Sequence, residues 1–205
     1  MSSSRHPSRS DDASQPQAAR FDRTQLLAQL AALNDRLTGT ALPDLEFASY
    51  MAGSASLHGL ARDCAAIYLY PGTDTSPLDG DDSLRNDTAQ HRAFSAHDKL
   101  LHAVDCRAIG ISTETPGKQS MTILRQEVSQ ELLSDPEARL ADALGLPTFP
   151  TGTGGRAYHR LILVAKRRVI RRVLISLEPG RSGQEVHALL QASRKRDIDA
   201  RRAAK

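Results

Sequence analysis

Cys64 and Cys106 are the two thiols of the 205-residue chain. A thiolate is the nucleophile, the redox partner and the metal ligand of cysteine chemistry, so these two residues are the candidate redox thiols. Two cysteines cannot build a disulfide scaffold or a four-ligand zinc site. Each stands at the start of a strand-like run, which predicts that they open neighbouring parallel strands. A buried cysteine ordinarily acts as a small hydrophobe, and both are expected to react slowly in the folded protein. Adjacent strands lie about 4.8 Å apart, near enough for the thiols to pair, but pairing depends on a register that the sequence does not contain.

Other chemistry-bearing residues lack the spacing that chemistry needs. His58, His91, His97, His102, His159 and His187 show no metal-ligand pattern and read as surface or helix-flank residues. Asp74, Asp79, Asp81 and Asp82 crowd one loop and the helix start after it; they read as turn and capping chemistry, since Asp79-Gly-Asp-Asp82 lacks the spacing of a calcium loop. Gly152-Thr-Gly-Gly155 precedes a strand rather than opening a helix, unlike a phosphate loop. No metal and no cofactor are expected.

Charge is distributed unevenly behind a net of +3. Residues 151–205 carry 14 Lys or Arg against 4 Asp or Glu, so the first 150 residues are net acidic. Arg156, Arg160, Lys166, Arg167, Arg168, Arg171 and Arg172 fall in a stretch free of acids, and Arg194, Lys195, Arg196, Arg201, Arg202 and Lys205 load the end. Tyr158 is the one aromatic there, so base stacking is unsupported; any polyanion binding through this basic hairpin and tail is expected to be weak and non-specific. Strand alternation predicts Arg171 and Arg172 on opposite faces.

The elements that must position these groups are readable in outline. Residues 1–20, with six Ser, two Pro and two Gln, read as a disordered head. Leu26, Leu30, Leu33 and Leu37 repeat at helical spacing before Gly39, giving an N-terminal helix within 21–40. Residues 41–60 read as an irregular or hairpin-like entry. Cys64-Ala-Ala-Ile-Tyr-Leu-Tyr70 is continuously apolar and stops at Pro71-Gly72, as for a strand buried on both faces. A helix over 81–103, a second strand Cys106-Arg-Ala-Ile-Gly-Ile-Ser112 and a helix over 118–129 follow. Ser134-Asp135-Pro136-Glu137 supplies a cap, a proline for the first helical position and an acidic first turn for a helix over 138–144, with Gly145 as its stop. Two β-rich runs, 157–165 and 169–177, joined by Lys166-Arg167-Arg168, predict a hairpin; a helix over 182–192 and a basic tail over 193–205 complete the chain. This order predicts an α/β fold, a parallel pair extended by an antiparallel hairpin. The longest apolar run has seven residues, far below the roughly 20 of a membrane span, so no membrane association and a cytoplasmic location are expected.

Four segments in this order, Tyr70-Pro71-Gly-Thr-Asp-Thr75, Ile111-Ser-Thr-Glu114, Leu133-Ser-Asp-Pro-Glu-Ala-Arg-Leu-Ala-Asp-Ala-Leu-Gly145 and Arg160-Leu-Ile-Leu-Val164, resemble a peroxiredoxin of the alkyl hydroperoxide reductase/thiol-specific antioxidant type over about residues 41–192. The resemblance implies a thioredoxin-like fold, a central mixed sheet flanked by helices. It also implies a peroxidatic site built from a proline, a threonine four residues on, a cysteine three further and an arginine from the later hairpin. Pro71, Thr75 and Arg160 match. The cysteine position falls on Leu78, its neighbours are Pro77 and Asp79, and the frequent resolving position falls on Ser83.

Leucine offers no nucleophile, and the acids around it would oppose a thiolate. Three readings follow. The preferred one is a redoxin-family, peroxiredoxin-like pseudoenzyme serving as a binding or regulatory module, with a protein partner or homo-oligomer. The second is a thiol-dependent peroxidase or oxidoreductase using Cys64 or Cys106, which lie on the order of 20 Å from the family's site. The third is a basic polyanion-binding protein.

Overall fold

The computed structural model describes residues 23–72, 82–126, 128–152, 154–175 and 178–203, with side chains from residue 28 onward except at 30 and 82–86. The expected disordered head lies outside the described residues. In chain order the elements are α1 (Arg23–Leu37), β1 (Glu46–Ser49), β2 (Gly53–Ser56), α2 (Leu57–Leu60), β3 (Cys64–Leu69), α3 (Asp82–His102), β4 (Cys106–Ser112), α4 (Pro116–Gln126), β5 (Glu131–Ser134), α5 (Arg139–Leu144), β6 (Thr148–Pro150), β7 (Arg156–Tyr158), β8 (Leu161–Lys166), β9 (Val169–Ile175) and, after a 3-10 turn at Pro179–Arg181, α6 (Ser182–Ala203). None of the described helices is long and apolar enough to cross a membrane.

Seven strands form one mixed sheet in the order β2-β1-β5-β4-β3-β8-β9, and β6 pairs with β7 separately. The three central strands β5, β4 and β3 are parallel; β8 joins β3 antiparallel, and β9 completes the predicted hairpin. The centre is buried on both faces, which explains the unbroken apolar run of β3. Ala65, Ile67 and Leu69 face a layer containing α1, α2 and α5, whereas Cys64, Ala66, Tyr68 and then Tyr70 face α3, α4 and α6. Contact on the second face is close: a Cβ at Gly183 would stand 2.2 Å from the Ala93 carbonyl oxygen, so α6 reaches α3 only because residue 183 has no side chain.

The structure departs from the sequence reading at five places. Residues 131–134 form a third parallel strand. The helix expected from residue 138 starts at Arg139, because Ala138 adopts a left-handed conformation, φ 56°; its capping comes from Asp135, whose carboxylate accepts the N–H groups of Arg139 and Leu140 at 3.0 and 2.9 Å. Pro136 therefore precedes the helix. The run 157–165 divides into β7 and β8 at His159 and Arg160. The final helix continues to Ala203 instead of yielding to a tail at 193, as its Ala, Arg and Lys residues favour. Finally, the ladder between β8 and β9 slips at Val164/Ala165, pairing Val164 with Arg172 but Ala165 with Ile170. This bulge inserts Arg171 as an extra residue and breaks the alternation that separated it from Arg172; both line one cavity.

Candidate functional site

The site that the resemblance indicates lies where β3 ends. Tyr70 still donates its N–H to Ile111 of β4 at 3.2 Å, after which buried Pro71 and Gly72 turn the chain. Gly72 has φ +93°, and a Cβ there would stand 2.5 Å from Glu114 Cγ, so both its backbone and its surroundings require glycine. Thr75, Leu78 and Asp79 lie outside the described residues, as do Asp74 and Asp81; Asp82 and Ser83 begin α3, with their side chains outside the described set.

Opposite Gly72, α3 presents Asp87, Gln90, His91 and Phe94, spaced as one helical face and all buried. Asp87 accepts the Gly72 N–H at Oδ2, 3.1 Å, and the Arg160 guanidinium at Oδ1. The pair is sequestered, with side-chain exposures of 9% for Arg160 and 2% for Asp87. Burial pushes the Asp87 carboxyl up to about 7, against the opposing pull of Arg160 and the Gly72 N–H, and the Glu114 charge adds to the rise. Desolvation can outweigh attraction in a buried ion pair.

His91 lies behind this pair. Burial, then Arg160, lowers its imidazole to about 3, so the ring is neutral. Its Nδ1 is 2.9 Å from the Tyr68 hydroxyl, and it meets the Tyr70 ring edge-on at 4.7 Å. Tyr68 stacks on Phe94 at 4.4 Å. Burial raises both phenols well above their usual range. Gly110, the register partner of Tyr68, leaves room for that ring: a Cβ there would be 2.7 Å from it. From α4, Gln119 reaches Leu133 O at 2.7 Å, Ser112 Oγ at 3.1 Å and Tyr70 Oη at 3.3 Å. Among the described residues, both amide atoms of Gln90 and Nε2 of His91 have no hydrogen-bond partner.

Gly72, next to Pro71, and Arg160 meet on Asp87, and the cluster draws in Asp87 and Gln90, which the sequence reading did not single out, together with His91 and Glu114, to which it gave no site role. His91 corrects the expectation of surface histidines; His159 is also nearly buried, against Phe149 at 5.0 Å. A sequence signal existed, because Asp87, His91 and Phe94 extend the Phe94–Leu101 stripe of α3 toward its start. Chemically, the described part of the site is a charge-compensated polar cluster. Its cation is matched by Asp87, its imidazole is a poor base, and its phenols hold their protons. No group of three or more side chains able to hold a metal occurs among the described residues.

The two cysteines sit at the other end of the same strands. Cys64 and Cys106 are direct register partners on β3 and β4, unbridged and buried, with their sulfurs 2.7 Å apart. Contact with Cys106, helped by Lys166, lowers Cys64 against the effect of burial, while contact with Cys64 and burial raise Cys106.

Comparison with solved structures decides the fold. Peroxidoxin BcpB from Mycobacterium tuberculosis superposes with a TM-score of 0.64 at 21% identity, over 76% of this chain and 96% of that one. The fold is peroxiredoxin-like. PrxQ from Xylella fastidiosa gives 0.62 at 16% identity, over 78% and 95% of the two chains, and AhpC from Enterococcus faecalis gives 0.61 at 19%, over 77% and 92%. No family model and no curated protein matches the chain.

Proposed function

We propose that residues 41–192 form a peroxiredoxin-fold module whose peroxidatic site is degenerate, and that the chain works by binding or regulation rather than by peroxide turnover. The observation that carries this reading is the buried Arg160–Asp87 pair. A peroxidatic cysteine reacts as a thiolate, which needs a nearby positive charge to lower its pKa; here the guanidinium that the resemblance assigns to that task is already engaged by the Asp87 side chain. Leu78, which takes the cysteine's place in the resemblance, supports the same conclusion. Exposed Met121 and Leu124 on α4, and Tyr50 and Met51 between β1 and β2, offer apolar contact to a protein partner or a second copy. Thiol usage without a disulfide scaffold fits a cytoplasmic setting.

Restoring the thiol tests the reading. Leu78→Cys should reduce hydrogen peroxide slowly, because Arg160 remains committed to Asp87, and adding Asp87→Asn should raise the rate by releasing positive charge to the thiolate. Rapid reduction by Leu78→Cys alone would show that the pocket is intact and that only the sulfur is missing.

A further inference from the structure

At the end of the sheet away from Pro71 and Arg160, Cys64 forms part of the wall of a cavity of about 810 Å³ between β8, β9 and α6. Six basic and three acidic side chains line it. The bulge in β9 turns both Arg171 and Arg172 toward this cavity, and the helical continuation of α6 past residue 192 brings Arg194 and Arg196 to the opposite wall. Those four arginines pair with no carboxylate among the described residues, whereas Lys166 is 3.8 Å from Asp197. A concave, net-positive wall with unpaired guanidiniums favours carboxylate-bearing ligands.

The thiols complete the site. Cys64 and Cys106 face each other in register, with Cα atoms about 4.8 Å apart as adjacent strands require, within the range that a disulfide spans. Cys64 touches the cavity and Cys106 lies behind it, with exposures of 7% and 1%. One thiol is thus placed to meet a ligand and the other to meet only its neighbour. That is the geometry of an attacking and a resolving cysteine.

We infer that Cys64 and Cys106 are a dithiol/disulfide couple that exchanges with small carboxylate-bearing disulfides admitted through the arginine-lined cavity. The Cys64 thiolate, having released its proton, attacks one sulfur of RS–SR, forming a Cys64–SR bond and breaking the S–S bond; the departing RS⁻ takes a proton to become RSH. Cys106 then loses its proton and attacks the Cys64 sulfur, forming the Cys64–Cys106 disulfide and releasing the second RSH. Two electrons pass from the protein dithiol to the small disulfide, and two RSH molecules reverse the sequence. The exchange needs neither Leu78 nor Arg160, so it stands independently of the degenerate-site reading.

The test uses the full-length reduced protein with oxidised glutathione (anionic), hydroxyethyl disulfide (neutral) and cystamine (cationic), followed by intact mass and released thiol. Oxidised glutathione should remove two hydrogens from the protein and release two glutathione molecules, at least about tenfold faster than cystamine at low salt, with the preference shrinking near 1 M salt, where the screening length falls to about 3 Å. Cys106→Ser should stop at a single glutathione adduct on Cys64, and Cys64→Ser should not react. Because cysteine variants could perturb the core, the exposed pair Arg171→Ala with Arg172→Ala provides an independent check: it should slow glutathione disulfide but not hydroxyethyl disulfide. Equal rates with anionic and cationic disulfides, or an unmodified Cys106→Ser protein whose unfolded chain labels fully, would overturn the inference.

Discussion

Replacing Asp87 by Asn isolates the physical peculiarity of the candidate site. Burial raises the Asp87 carboxyl from its ordinary 3.8 to about 7. A carboxylate that holds its proton more tightly when folded binds more protons in the native state, so its contribution to stability falls as pH rises from near 4 to near 7 and is level outside that window. Asp87 is almost wholly buried, so surface screening does not dilute the effect. At about 1.4 kcal/mol per unit, the wild type should lose roughly 2–3 kcal/mol more stability between about pH 5 and about pH 8 than Asp87→Asn, which has no proton to exchange. Urea unfolding of both proteins at the two pH values, read as a difference of differences, removes the titration of every other group. The two carboxylate oxygens accept separately from the Arg160 guanidinium and the Gly72 N–H, and the single amide oxygen keeps one of these bonds; the resulting loss of stability is the same at both pH values and cancels in the comparison. A wild type that keeps pace with the variant, or gains on it toward pH 8, would refute the reasoning, because Arg160 would then be holding Asp87 ionised at a profit to the fold.

Three other substitutions probe the same shell. Gly72→Ala combines a positive φ with a clash on Glu114 and should cost about 1–3 kcal/mol or more in denaturant unfolding. Gly110→Ala pushes a methyl into the Tyr68 ring and Leu132; overpacking of this kind should cost about 1–3 kcal/mol and lower the thermal midpoint. Tyr68→Phe removes the hydroxyl from His91 Nδ1, leaving a second ring nitrogen without a partner beside Nε2, and should destabilise by about 1–3 kcal/mol with the Phe94 stacking retained.

The parts of the fold legible in the sequence are those in which burial or capping is written locally. β3 announces itself through the seven unbroken apolar residues that begin at Cys64, and the hairpin β8–β9 through two β-rich stretches around Lys166-Arg167-Arg168, where Arg167 and Arg168 take the positive φ values, 53° and 64°, that a tight turn demands. β5 escapes notice because four residues between Gln130 and Asp135 are too few to establish a period. β7 and β8 fuse because no Gly or Pro separates them. Arg171 illustrates a deeper limit: a bulge is a property of two strands, so its direction cannot be read from one. The candidate site divides similarly. Pro71 and Arg160 carry a motif-like resemblance, but Asp87 and His91 sit in a polar helix where their burial depends on the sheet packed beneath them. The pairing of Cys64 with Cys106 likewise waited on register.

Hydrogen peroxide consumption by the unaltered protein, supplied with a dithiol reductant and compared with a protein-free control, tests the central claim most directly. Without a thiol at position 78, and with Arg160 held by Asp87, consumption should match the control across the peroxide range. Saturable turnover above the control, at catalytic rather than stoichiometric yield, would contradict the account.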